Sequence, residues 1–156
     1  MIQPKHRDPA VTRKIMASVR SKDSKAELLL RRELHRRGLR YRLHDKRLPG
    51  RPDLVFGPAK LVVFVDGDFW HGAGWQERGF MSFEAQFARF KEPEKWRAKI
   101  ERNLARDESV TEQLLASGWR VIRIWESQIL KDVRPAADRV VAALIEADEC
   151  SLAEGH

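Results

Sequence analysis

The chain has 156 residues, a length that suits one domain with a real core and argues against two. Lys and Arg number 30 against 23 Asp and Glu, a formal net charge of +7, and the one cysteine, Cys150, excludes a disulfide framework or thiolate metal cluster within the chain. No apolar run approaches the roughly 20 residues of a membrane span, and the opening MIQPKHRDPAVTRK lacks a signal-peptide apolar segment, so no membrane association and a cytoplasmic, nucleoid-associated location are expected.

The charge is uneven. Residues 1–51 hold 16 basic and 5 acidic side chains, whereas 52–156 hold 14 and 18. A basic third of this kind can release counterions from a polyanion, which makes nucleic acid the leading partner class, ahead of an anionic membrane surface or a merely solvated basic helix.

In chain order, residues 1–23 are polar and basic with a weak apolar patch at Ile15, Met16 and Val19, and are expected to form an arm. Ser24 with Glu27 matches a capping box, and Gly38 supplies a stop, so a helix is predicted over 25–37. Glu27 thereby has a structural role as a capping residue. Leu39, Tyr41 and Leu43 alternate with Arg40, Arg42 and His44, the pattern of a half-buried strand with a basic outer face. Two further strands, Asp53–Phe56 and Lys60–Asp66, are joined by Gly57-Pro58-Ala59, a turn short enough to force antiparallel pairing. The second, apolar on both faces, should be central.

Residues 67–81 are rich in glycine and aromatics and read as a loop. Trp96, Ile100, Leu104, Leu114 and Leu115, with Gly118 as a stop, predict a long helix from Glu94 to Ser117, followed by a strand over 119–125. A strand, helix and strand in one small sheet favour a right-handed crossover and parallel pairing, hence a mixed sheet. A last helix follows Pro135, and 149–156 is expected to fray.

The chemistry concentrates between Leu48 and His71. Asp53 starts one buried strand and Asp66 ends its antiparallel neighbour, so their carboxylates should lie close together and call for a hard cation such as magnesium. His71, five residues beyond Asp66, is suited to moving a proton near neutral pH. With the basic arm, these residues suggest metal-assisted phosphodiester hydrolysis; the plain alternative is a hairpin with acidic ends and a surface histidine. Phe69 and Trp70 read either as a hydrophobic plug or as a wedge between bases.

The motifs LPGRPDLVF, FVDGDFWHG, N-x-x-R-D over Asn103–Asp107, and GWRVIRIWE resemble the very-short-patch repair endonuclease family, in matching order from about Thr12 to Glu126. The resemblance implies an α/β fold with a restriction-endonuclease-like PD-(D/E)XK core, a central mixed sheet flanked by helices, and a magnesium-dependent nick, by one or two ions, beside a T:G mispair in double-stranded DNA. It implies that Asp53 is the principal metal ligand, that the Val65 carbonyl is a second metal contact, that His71 activates water, and that Glu27 supports the site through water. Phe69 and Trp70 then match an aromatic wedge, and Met16, otherwise a candidate for the core, matches an intercalating side chain. Lys14, Arg20 and Arg51 are the basic residues assigned to DNA, and a monomer is expected.

This chain also departs from the family pattern. Members usually carry a structural zinc, but here the loop positions read Ala73 and Trp75 and the position after the last strand reads Ser127, leaving Asp107. One carboxylate cannot build a tetrahedral site, so the zinc is expected to be absent, with Trp75, Phe80 and Trp96 packing the space. Asp68 stands where cysteine is common and reads either as a further carboxylate near the site or, the preferred reading, as facing solvent. Competing readings are a related nuclease of restriction, phage defence or homing, and a DNA-binding module without catalysis.

Overall fold

A computed structural model of the protein describes residues 24–68, 79–88 and 90–154. The elements run α1 (Lys25–Arg36), β1 (Arg42–Leu43), β2 (Leu54–Phe56), β3 (Leu61–Asp66), a 3-10 turn (Glu84–Phe87), α2 (Pro93–Ala116), β4 (Arg120–Trp125), α3 (Glu126–Lys131) and α4 (Val133–Glu154). The four strands form one sheet in the order β1-β2-β3-β4. β1 and β3 flank β2 antiparallel, with Leu54 opposite Val63, and β4 lies parallel to β3, with Val63 opposite Ile122. The expected hairpin, crossover and mixed sheet are therefore present.

Burial on both faces of β3 explains its unbroken apolar run. Leu61 and Val63 join Leu54, Phe56 and Ile124 in a cluster closed by Ala26, Leu30 and Leu34 of α1, Ile129 of α3 and Val140 of α4. Val62 and Phe64 face the other way and meet Val55 with Val110 and Leu114 of α2. Each such side chain contributes about 1.5–3 kcal/mol when fully buried, so the two clusters hold the sheet between helical layers.

Local chemistry sets the ends of α1. The Ser24 hydroxyl accepts from the Glu27 N–H at 3.2 Å, filling one of the four unsatisfied donors of a helix start. At the other end Gly38 takes φ 84° and Leu39 N–H donates to Leu34 O at 3.1 Å, which closes the last turn. Gly50 is required for a different reason. It sits at φ 74° with the position of a Cβ only 2.5 Å from Val110 Cγ1, so the turn before Asp53 packs directly on α2.

The structure departs from the pattern-based expectations in three places. The predicted strand over 39–44 shrinks to Arg42–Leu43, and Leu43 is exposed because His44 turns to φ 45° and ends the alternation. A short helix, Glu126–Lys131, follows β4 directly and places Ile129 in the core. Residues 149–154, expected to fray, instead continue α4 to Glu154, consistent with a run of Ala, Glu, Leu and Ser that contains no Gly or Pro before Gly155. Among the described residues no helix is long and apolar enough to cross a membrane.

Candidate active site

The open end of β2 and β3 collects the polar residues. Asp53 follows Pro52, and its side-chain Oδ2 accepts from Val65 N–H at 2.7 Å, so the carboxylate bridges from the start of β2 to the backbone of β3. Its main-chain oxygen accepts from His44 N–H at 3.3 Å. Glu27, on the inner face of α1, is only 2% exposed. Its Oε1 lies 2.7 Å from Arg31 Nη2, one helical turn on, and 2.9 Å from His44 Nε2. His44 Nδ1 is in turn 3.7 Å from Asp53 Oδ1. One donor atom each from Glu27, His44 and Asp53 can be chosen so that all lie within 4.8 Å of one another.

Asp53 feels both its dry surroundings and its acidic neighbours. Burial, above all, pushes the Asp53 carboxyl up to about 7, opposed by the Val65 hydrogen bond and reinforced by the negative charges of Glu27 and Asp66. A divalent cation would remove that penalty, and two carboxylate oxygens with an imidazole nitrogen fit one.

The sequence paired Asp53 with Asp66; the carboxylate grouped with Asp53 is Glu27. Asp66 is buried at the end of β3, with both oxygens 3.1–3.2 Å from Arg123 Nη1 of β4. Arg123 also lies 3.7 Å from Asp107 and stacks 4.2 Å above the Phe64 ring, so Asp66 and Asp107 share one cation on the α2 side of the sheet. Arg51, two residues before Asp53 in the chain, is exposed at φ 51°. Asp68, read as facing solvent, accepts from the Ser127 N–H at 3.0 Å and from its hydroxyl. Trp96 packs edge-on against Phe90 at 5.6 Å, in a chain that runs back through Phe87 to Phe83. The expectations for Lys14, Met16, Arg20, Phe69, Trp70, His71, Ala73 and Trp75 lie outside the described residues.

Three residues at or beside the site were not among those singled out from the sequence. Arg31 was legible as the i+4 partner of Glu27. His44 was hidden by an alternation that assigned it to the outer face, and Arg123 sat in an apolar strand pattern with no sign of its partner.

A mixed sheet with carboxylates and an imidazole at the end of its central strands, in a chain whose amino-terminal third is strongly basic, fits a nuclease. Residues 5–77 match the model of the DNA mismatch endonuclease Vsr family. The chain is 40% identical to the type II nicking enzyme V.NmeDIP of Neisseria meningitidis serogroup C, over 87% of both proteins. It is also 40% identical to the type II nicking enzyme V.XorIIP of Xanthomonas oryzae pv. oryzae, over 78% of this chain and 83% of that one. With the DNA mismatch endonuclease Vsr of Escherichia coli (strain K12) it shares 34% identity, over 76% of this chain and 71% of the relative. The chain belongs to the Vsr family and is a DNA endonuclease.

Proposed function

We propose that the protein nicks one strand of duplex DNA beside a T:G mispair, using magnesium, and that residues 1–156 act as a single nuclease domain on a PD-(D/E)XK core, as a cytoplasmic monomer. The observation that carries the metal centre is the convergence of Glu27 and Asp53, which lie 26 residues apart in the chain, on the end of β3. Magnesium, when bound, supplies charge stabilisation at the scissile phosphate and lowers the pKa of a bound water.

Asp53 is the principal ligand, held in place by the Val65 N–H, and the Val65 carbonyl is the second protein contact. Glu27, paired with Arg31 at 2.7 Å, orients water at the centre. Asp66, held by Arg123, adds negative charge behind Asp53. His71 takes the proton of the attacking water. Phe69 and Trp70 enter the duplex beside the mispair and Met16 approaches from the other groove, at an unstacking cost of about a few kcal/mol per step that new contacts offset. Lys14, Arg20 and Arg51 hold the DNA. No structural zinc is assigned to the loop after His71, because Ala73 and Trp75 offer no zinc donor and Asp107 lies 3.7 Å from Arg123.

The test is cleavage of labelled duplexes, T:G-mispaired and fully paired, with and without magnesium, with Asp53→Ala as control. The expected result is a single-strand nick in the mispaired duplex only, dependent on the metal and on Asp53. Equal cutting of paired DNA would reassign the enzyme to restriction, defence or homing, and no cutting of any duplex would leave a binding module.

A further inference from the structure

The donor set at the sheet end contains a nitrogen. We propose that His44 is a third protein ligand at the metal centre, and that its imidazole moves the centre's preference from magnesium towards manganese-class ions. The inference rests on the metal centre proposed above and assigns it a residue and a selectivity.

Distances come first. Two donors that share an ion through bonds of about 2.1–2.2 Å stand about 3 Å apart when adjacent and about 4.3 Å apart when opposite. His44 Nε2 is 2.9 Å from Glu27 Oε1, and His44 Nδ1 is 3.7 Å from Asp53 Oδ1. An ion uses one ring nitrogen, and one nitrogen of His44 with one oxygen from each carboxylate forms a set whose members all lie within 4.8 Å of one another, about half an ångström beyond the widest separation in a coordination sphere.

Charge points the same way. Arg31 Nη2 lies 2.7 Å from Glu27 Oε1 and 2.9 Å from His44 Nε2, so in the metal-free protein a guanidinium stands where the carboxylate and the imidazole meet, the kind of vertex that a cation takes.

Chemistry then sets the selectivity. Magnesium binds almost wholly through oxygen and keeps much of its water, whereas first-row transition ions accept a nitrogen donor more readily, manganese the least of them and iron, nickel, copper and zinc more. A site of oxygen donors alone would not separate these ions strongly; one with His44 should.

The experiment uses the full chain, free of DNA, with manganese as the probe, read by pulsed electron paramagnetic resonance and by calorimetric titration. The expected signal is nuclear modulation from a ligating nitrogen that changes on 15N-histidine labelling, disappears in His44→Gln, and survives in His71→Gln. His44→Gln should weaken manganese about tenfold or more while changing magnesium less than about threefold. His44→Asn serves the same purpose if the glutamine variant does not fold. Manganese bound in an Asp53-dependent way with no histidine modulation, or modulation lost in His71→Gln and kept in His44→Gln, overturns the assignment of His44 while the metal centre stands. Manganese binding unaffected by Asp53→Ala overturns the centre and His44 with it.

Discussion

Asp53 carries a charge that the fold resists until a cation arrives. Its carboxyl is pushed up to about 7, against about 3.9 for an unfolded aspartate. A folded pKa above the unfolded one contributes stability that is present below about pH 4 and is lost as pH rises through about 7. Metal-free protein should therefore lose on the order of a few kcal/mol relative to Asp53→Asn between pH 5 and pH 8.5, seen as converging or crossing melting curves; parallel curves would refute the shift. Metal binding should release a proton below pH 7 and tighten as pH rises, in titrations run in buffers of different ionisation enthalpy. Asp66 and Arg123 pose the complementary case of a charge already answered. Arg123→Ala removes the cation that both oxygens of buried Asp66 contact, at a cost of about 3 kcal/mol or more, and Asp66→Asn in the same protein should recover part of it in a double-mutant cycle.

At the scale of elements, what positions the site is the way turns and helix ends are clamped to the sheet. Gly50 lets the turn before Asp53 lie on α2, and Gly50→Ala would combine strain at φ 74° with a Cβ 2.5 Å from Val110. A loss of about 2–3 kcal/mol is expected, with a midpoint in urea shifted at unchanged slope. Asp68 and Ser127 form a second clamp, tying the residue just past β3 to the first turn of α3 across 59 residues. Asp68→Ala should cost about 1 kcal/mol, or roughly 2–4 °C in melting temperature, and Ser127→Ala less, because the backbone N–H remains as a donor. Equal losses would mean that the hydroxyl, not the amide, carries the clamp.

Over the whole molecule, the proposed function divides the work between capture by the basic amino-terminal third and cleavage at the sheet end. Residues 1–23 alone carry six basic and two acidic side chains. Each phosphate they neutralise contributes about −0.9 to the slope of log affinity against log salt. Deleting them should make that slope shallower by several units in fluorescence anisotropy with duplex DNA, while a slope left unchanged would place DNA capture elsewhere.

The sequence by itself determined the order of the elements, the mixed sheet and the core. Capping at Ser24, the stops at Gly38 and Gly118, and the apolar run of β3 act over a few residues, and each decides its own segment. It also marked Asp53 and Glu27 through motif order. Only the tertiary structure decided which groups meet. His44 reaches Glu27 because the chain turns at φ 45° instead of continuing a strand, and Asp66 finds Arg123 across 57 residues because β3 and β4 pair parallel in a register that sets Arg123 beside Phe64, two residues before Asp66 on the same face. Such contacts depend on register and on how α1 seats against the sheet. Those are set by the sum of burial across two faces, which no local pattern of residues encodes.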